Sequence, residues 1–156
     1  MKHYFWGVIF LFILFISFSS NSLFAQQVEF KKTSQWEFLY EIDGVNFYYE
    51  VAQCNDTANS YHREYVLLKL ENTNDFEIIA DWDVLMYYNG NCFNCGDRLS
   101  PEHHRSVVLA GNNSVEGRCF TFGDKTLRIF SSFLNYKDPG STLTKFELIN
   151  LNVRQK

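Results

Sequence analysis

Strict alternation of apolar and polar positions, with no long helical period beside it, is the feature that most restricts the folds open to this chain. Trp36, Phe38, Tyr40 and Ile42 alternate with Gln35, Glu37, Leu39 and Glu41. This predicts a half-buried strand, because successive side chains of an extended backbone point to opposite faces. Asp43-Gly44 supplies residues that tolerate positive φ in a tight hairpin, and Val45, Phe47, Tyr49 and Val51 return on one face.

The same period continues downstream. A strand is predicted over 64–71, with Val66, Leu68 and Leu70 on one side, and Asn72-Thr73-Asn74-Asp75 is a turn by composition. In the next strand Phe76, Ile78, Ala80, Trp82, Val84 and Met86 alternate with Glu77, Asp81 and Asp83. Trp82, at its centre, is the predicted core anchor. Further strands are predicted over 106–110, 114–122, 127–134 and 144–153. In the last, the apolar face shifts from Phe146 and Leu148 to Leu151 and Val153, which predicts a bulge near Asn150. About eight short strands with turn signals at roughly ten-residue spacing are the signature of an antiparallel β-sandwich or barrel, with one wet face per sheet.

The first 25 residues belong to a different regime. Lys2 precedes an uncharged run from Phe5 to Phe18, followed by Ser19-Ser20-Asn21-Ser22 and then Leu23-Phe24-Ala25. A short positive end, an apolar core and a small residue at a cleavage point define a secretory signal peptide, with Ala25 the expected last residue removed. The core falls short of the roughly 20 residues of a spanning helix, so no stable membrane insertion is expected after cleavage. The expected domain is therefore 26–156, exported to a periplasm or secreted. Loss of Lys2 leaves 13 basic residues against 18 acidic ones. A mildly acidic, dispersed balance argues against nucleic acid and anionic membrane surfaces, both of which select basic patches.

The stretch from Val66 to Asn74, the strand centred on Trp82, and the closing strand from Phe146 to Val153 together resemble immunoglobulin-like β-sandwich domains of small exported bacterial proteins. The resemblance spans most of 35–153. It implies an immunoglobulin-like sandwich of seven or eight strands and, by itself, no activity.

Cys54, Cys92, Cys95 and Cys119 all fall within the expected mature chain. An even count in an exported chain predicts disulfides, and four cysteines allow three connectivities. Cys92 and Cys95 form a C-x-x-C pair in a loop between strands. They are expected to act as staples, one to Cys54 and one to Cys119, since no helix is predicted to activate a redox thiol. A zinc site from Cys92 and Cys95 with Cys54, Cys119 or His103 is the weaker alternative, because structural zinc ribbons usually carry two close pairs.

No catalytic set emerges, and no metal or other cofactor is called for. Glu102-His103-His104-Arg105 lacks the H-E-x-x-H spacing and is expected to be solvated loop, as is isolated His62. No G-x-S-x-G elbow is present. Asp81 and Asp83 share the solvent side of their strand, and Gly123-Asp124-Lys125-Thr126 is a turn without phosphate-loop glycines. Asn55-Asp56-Thr57 and Asn112-Asn113-Ser114 match the glycosylation acceptor pattern. Tyr48, Tyr61, Tyr87 and Tyr88 fall outside the predicted core and are the candidate ligand-facing aromatics, since a flat ring can stack on a sugar. The expected function is a non-enzymatic interaction or cell-envelope accessory module meeting an extracytoplasmic protein or glycan. Carbohydrate binding through the tyrosines and thiol–disulfide exchange at Cys92–Cys95 are the alternatives.

Overall fold

Asp43 and Gly44 take φ of 47° and 75°, both central residues positive as a two-residue hairpin requires. They join β1 (Glu37–Ile42) to β2 (Val45–Asp56). The computed structural model describes residues 30–96, 101–120, 124–136 and 142–156. The leader at 1–25 lies outside the described residues, as do 121 and 122 of the strand predicted over 114–122.

β2 turns through a single 3-10 turn, Thr57–Asn59, into β3 (Tyr61–Asn72). Then follow β4 (Ile78–Tyr88), β5 (Asn91–Cys92), β6 (His104–Leu109), β7 (Asn113–Glu116), β8 (Arg128–Phe133) and β9 (Leu143–Gln155). All the pairings are antiparallel. The first sheet runs β1-β2-β3-β7, with β8 also paired to β3; in the second, β4 pairs with β5, β6 and β9. There is no α-helix among the described residues.

The two sheets share one apolar cluster. Val45, Phe47 and Tyr49 of β2 and Val66, Leu68 and Leu70 of β3 meet Ile78, Ala80, Trp82 and Val84 of β4. Trp82 is fully buried and stands edge-on to Phe47 at 5.9 Å, a favoured aromatic geometry. Burial of such a side chain is worth roughly 1.5–3 kcal/mol or more.

Two irregularities redirect side chains. In β1 the register slips between Phe38 and Tyr40, so Leu39 is the extra, buried residue. Phe38, expected inside with Tyr40, therefore lies outside against Tyr48, while Tyr40 packs on Phe47. In β9 the slip falls opposite Trp82, with Asn150 at φ 53°. This left-handed residue is the bulge that the broken apolar pattern around Asn150 predicts.

Asn72 ties the sheets together where β3 ends. Its amide donates to the carbonyls of Phe76 (2.9 Å), Ala110 (3.1 Å) and Leu109 (3.3 Å). Its oxygen accepts from the Asn74 backbone and side chain, both at 3.0 Å. Backbone carbonyls shielded from water must find donors, and the Asn72 amide nitrogen lies within bonding reach of three, that of Leu109 being buried.

Glu64 is the polar counterpart at the other end of β3. It is buried, and its Oε1 accepts from Lys32 Nζ (2.5 Å), Ser131 Oγ (2.7 Å) and Ser132 Oγ (3.3 Å). Burial alone would raise its pKa, but the Lys32 and Ser131 hydrogen bonds and the Lys32 charge hold it below the ordinary 4.5. The unfolded chain thus binds this proton more readily. The resulting stability is fully present above pH 4.5 and is lost as pH falls through the folded-state value. Glu64→Gln is expected to destabilise the protein at neutral pH by about 1–2 kcal/mol and to weaken its acid sensitivity. Denaturant midpoints measured across the acid range check both effects.

Candidate functional site

β3 carries apolar residues on both faces. Val66, Leu68 and Leu70 enter the main core, whereas Tyr65 and Leu67 form a second buried cluster with Cys54, packed by Trp36, Ala52, Tyr61, Cys119 and Phe130. The expectation of one wet face per sheet therefore fails for the first sheet. β7 leaves β3 and β8 joins it at the same point: Gly117 N donates to Leu68 O (2.8 Å) and Leu68 N donates to Leu127 O (2.9 Å). A Cβ on Gly117 would sit 2.2 Å from the Leu127 carbonyl oxygen, so only glycine fits. The intervening segment carries Cys119 to Cys54, and a disulfide joins them.

Along β8 this arrangement leaves a cleft of about 1000 Å³. Tyr61, Arg63 and Tyr65 of β3 form one wall, and Phe130 and Phe133 of β8 another. Val84 and Met86 of β4 close it toward the second sheet, while Phe120 stands at its rim. Arg63 stacks over the rings of Tyr61 (4.7 Å) and Phe133 (5.6 Å), and Arg128 over Tyr65 (4.9 Å). Each such pair is worth roughly 0.5–2 kcal/mol. Arg128 Nη1 also donates to Cys119 O at 2.8 Å.

Arg105 and Lys125 bring the cations lining the cleft to four, against the carboxylates of Asp56 and Glu102. The chain as a whole carries −4. Asp124, held low by its hydrogen bonds to Thr126 and by the charges of Arg128 and Arg105, lies close by. The hydroxyls of Tyr61 and Tyr65 are 2.7 Å apart. Burial opposes ionisation of Tyr65, but hydrogen bonds from Tyr61 and Arg63 and the charges of Arg63 and Arg128 bring its pKa below 10.0. Burial and the bond to Tyr65 push Tyr61 up.

The four tyrosines singled out in the sequence do not make one platform. Tyr61 lines the cleft. Tyr48 lies on the outer face of the first sheet between Phe38 and Lys69. Tyr87 meets Lys145 across β9. Tyr88 belongs to the packing, contrary to expectation: it packs on the main core, and its hydroxyl donates to Phe130 O at 2.9 Å. Burial pushes its pKa up to about 12.

The cysteine pairing also differs from expectation. Cys92 and Cys95 bond to each other rather than to Cys54 and Cys119. Asn94 accounts for this. Buried inside the C-x-x-C turn, it accepts from Met86 N (2.9 Å) and donates to Val84 O (2.7 Å), so the turn lies along β4. With all four sulfurs in disulfides, none is a thiolate ligand for zinc, and among the described residues no group of His, Cys, Asp and Glu assembles for a metal.

His104 is part of β6 rather than loop, and Asp83 is buried rather than solvent-facing. His104 Nδ1 lies 3.1 Å from Asp83 Oδ1, Asn150 Nδ2 donates to Asp83 Oδ2 at 2.8 Å, and Arg154 pairs with Asp81. Adjacent His103 lines the cleft instead. His62 Nδ1 sits 3.1 Å from Asn55 Oδ1.

The residues missed at the sequence level are Arg63, Tyr65, Arg128 and Phe130. The signal was present: Tyr61-His62-Arg63-Glu64-Tyr65 places two rings and a guanidinium on one strand face, and Arg128-Ile129-Phe130 repeats the pairing. No family model, no curated protein and no solved structure matches the chain.

Two outcomes follow from this geometry. In the chain-entropy account, removing the Cys54–Cys119 bridge, which spans 65 residues, costs about 4 kcal/mol, against about 2 kcal/mol for the Cys92–Cys95 bridge. Paired Cys→Ser variants compared by denaturant unfolding test that order. Arg63→Met should raise the ionisation midpoint of Tyr65, because a cation that favours the phenolate is lost. Tyrosine-labelled NMR titration reads it directly, and an unmoved midpoint contradicts the placement of Arg63 beside the Tyr65 hydroxyl.

Proposed function

We propose that this chain is an exported, non-enzymatic module of immunoglobulin-like β-sandwich type that acts by binding an extracytoplasmic partner, a protein or a glycan, in the cleft along β8. The carrying observation is the cleft itself, where rings and guanidinium groups share one concave surface of about 1000 Å³. That volume matches the upper end of the roughly 300–1,000 Å³ typical of ligand sites. Convergent apolar surface with a few fixed polar groups is what such sites require. Export is supported by the leader pattern at 1–25 and by two disulfides, the chemistry of an oxidising compartment. No helix among the described residues is long and apolar enough to cross a membrane. Two sheets sharing one core support the sandwich reading.

The direct bond between Cys92 and Cys95 favours a second reading, thiol–disulfide exchange, since a redox pair closes on itself. Against it, the turn is pinned by Asn94, and among the described residues no α-helix presents an N-terminus to the sulfurs.

One experiment separates these readings. Purified mature protein is screened by thermal shift against extracytoplasmic peptides and glycans, then repeated with Tyr61→Ala, Phe133→Ala and the outer-face control Tyr48→Ala. Ligand-induced stabilisation that survives Tyr48→Ala and is lost in both cleft variants is expected. Stabilisation indifferent to the cleft variants, or catalysed dithiol exchange that depends on Cys92, overturns the proposal.

A further inference from the structure

The charge of the cleft is opposite to that of the molecule around it. Four cations against two lining carboxylates, in a chain of net −4, concentrate positive potential in a concave, partly desolvated place. Such local focusing raises the concentration of oppositely charged ligands. Arg63 is the cleft cation that meets two rings: its guanidinium carbon lies 4.7 Å from the Tyr61 ring centroid and 5.6 Å from that of Phe133. Ring contacts hold the cation in place without consuming all five of its N–H donors. A guanidinium carries five donors in a fixed fork that matches a carboxylate or sulfate bidentately. Arg63 Nη1 donates to the Tyr65 hydroxyl over a long 3.4 Å.

Beside this fork the cleft offers flat apolar surface. Phe120 and Phe133 are 52% and 37% exposed, and Phe120 lies against Tyr61 at 5.8 Å. Exposed rings next to a fixed guanidinium match a ligand that is apolar on one face and anionic at its edge. A pyranose bearing a carboxylate or sulfate has that shape: its C–H face lies on a ring while its acid group meets the arginine. The enclosed volume suits a few sugar units.

Resting on the reading of this cleft as the ligand site, we propose that it takes an acidic saccharide, held by Arg63 through the acid group and by Tyr61, Phe120 and Phe133 through the sugar face. Lys125, exposed at the rim, adds long-range attraction to the acid group.

The test is calorimetric titration of the mature, disulfide-intact protein with trigalacturonate, a sulfated heparin disaccharide, uncharged maltotriose, oligoglutamate and sodium sulfate. Binding by trigalacturonate, by the sulfated disaccharide or by both, weakening with added salt and absent for maltotriose, supports the proposal; which of the two binds identifies the acid group. Arg63→Gln should weaken that binding about tenfold or more, the scale of one lost charge-assisted pair. Lys125→Gln, at an exposed position that leaves folding intact, should weaken it about two- to threefold and reduce its salt dependence. The charge-matched control Lys145→Gln, outside the cleft, should change nothing. Equal binding of maltotriose, tighter binding of oligoglutamate, sulfate alone competing with no sugar preference, or no binding by either acidic sugar overturns the saccharide assignment. Those results leave the cleft as the site wherever Tyr61→Ala still abolishes the ligand that does bind. Saccharide binding untouched by both Tyr61→Ala and Arg63→Gln overturns the cleft reading as well.

Discussion

A central strand that is apolar on both faces sets the terms for everything else in this molecule. Val66, Leu68 and Leu70 oblige a second sheet to cover one side of β3, and the sheet built on β4 does so. Tyr65 and Leu67 oblige a cover on the other side as well. No third sheet is present among the described residues, so an irregular segment performs that task, fastened by Cys54–Cys119. A loop is a looser cover than a sheet because its backbone groups need partners of their own. Covering with a loop where a sheet would close completely leaves an unfilled trough along β8, and that trough is the cleft.

Global charge and local charge part company here. The acidic balance of the chain is dispersed over both sheets, with Lys69–Glu71, Lys145–Glu147 and Lys156–Glu77 neutralising one another at the surface. Exposed pairs of this sort add little stability. The arginines at 63, 105 and 128 are different, because aromatic stacking and backbone carbonyls hold them in place. A summed charge cannot reveal such a feature, since four cations in one concavity weigh the same in the total as four scattered ones.

What the sequence made legible was what depends on period and on local backbone chemistry. Alternation around Trp82, the Asp43-Gly44 turn and the bulge at Asn150 are all visible in the residue pattern, because each is decided within a few neighbours. The continuous run Val66-Leu67-Leu68 was legible too, as a strand buried on both sides, but reading only its even positions hid the second cluster. Phe38 points outward because a one-residue slip in β1 reverses every side chain beyond it, and nothing local in Glu37-Phe38-Leu39-Tyr40 announces that slip. The cysteine pairing depended on Asn94, whose amide substitutes for a strand partner along β4. The cleft residues come from the end of β2, from β3, β4, β6, β8 and from the loops between, so their convergence is a property of the topology and not of any window of sequence.

The order of the strands has a consequence for how such a chain comes together. β1 pairs with β2 and β2 with β3, so the first sheet can begin as a local meander. β4 must wait for β9, the last strand described, since Ile78 lies opposite Gln155 and Tyr88 opposite Leu143. In a polypeptide emerging from its N-terminus, whether from a ribosome or through a membrane channel, one edge of β4 is therefore bare until Leu143–Gln155 emerges. Unpaired strand edges recruit other edges, and long-range pairing is slow. Vectorial emergence makes that interval the period of greatest exposure to misassembly, and the late arrival of β9 is the event that ends it.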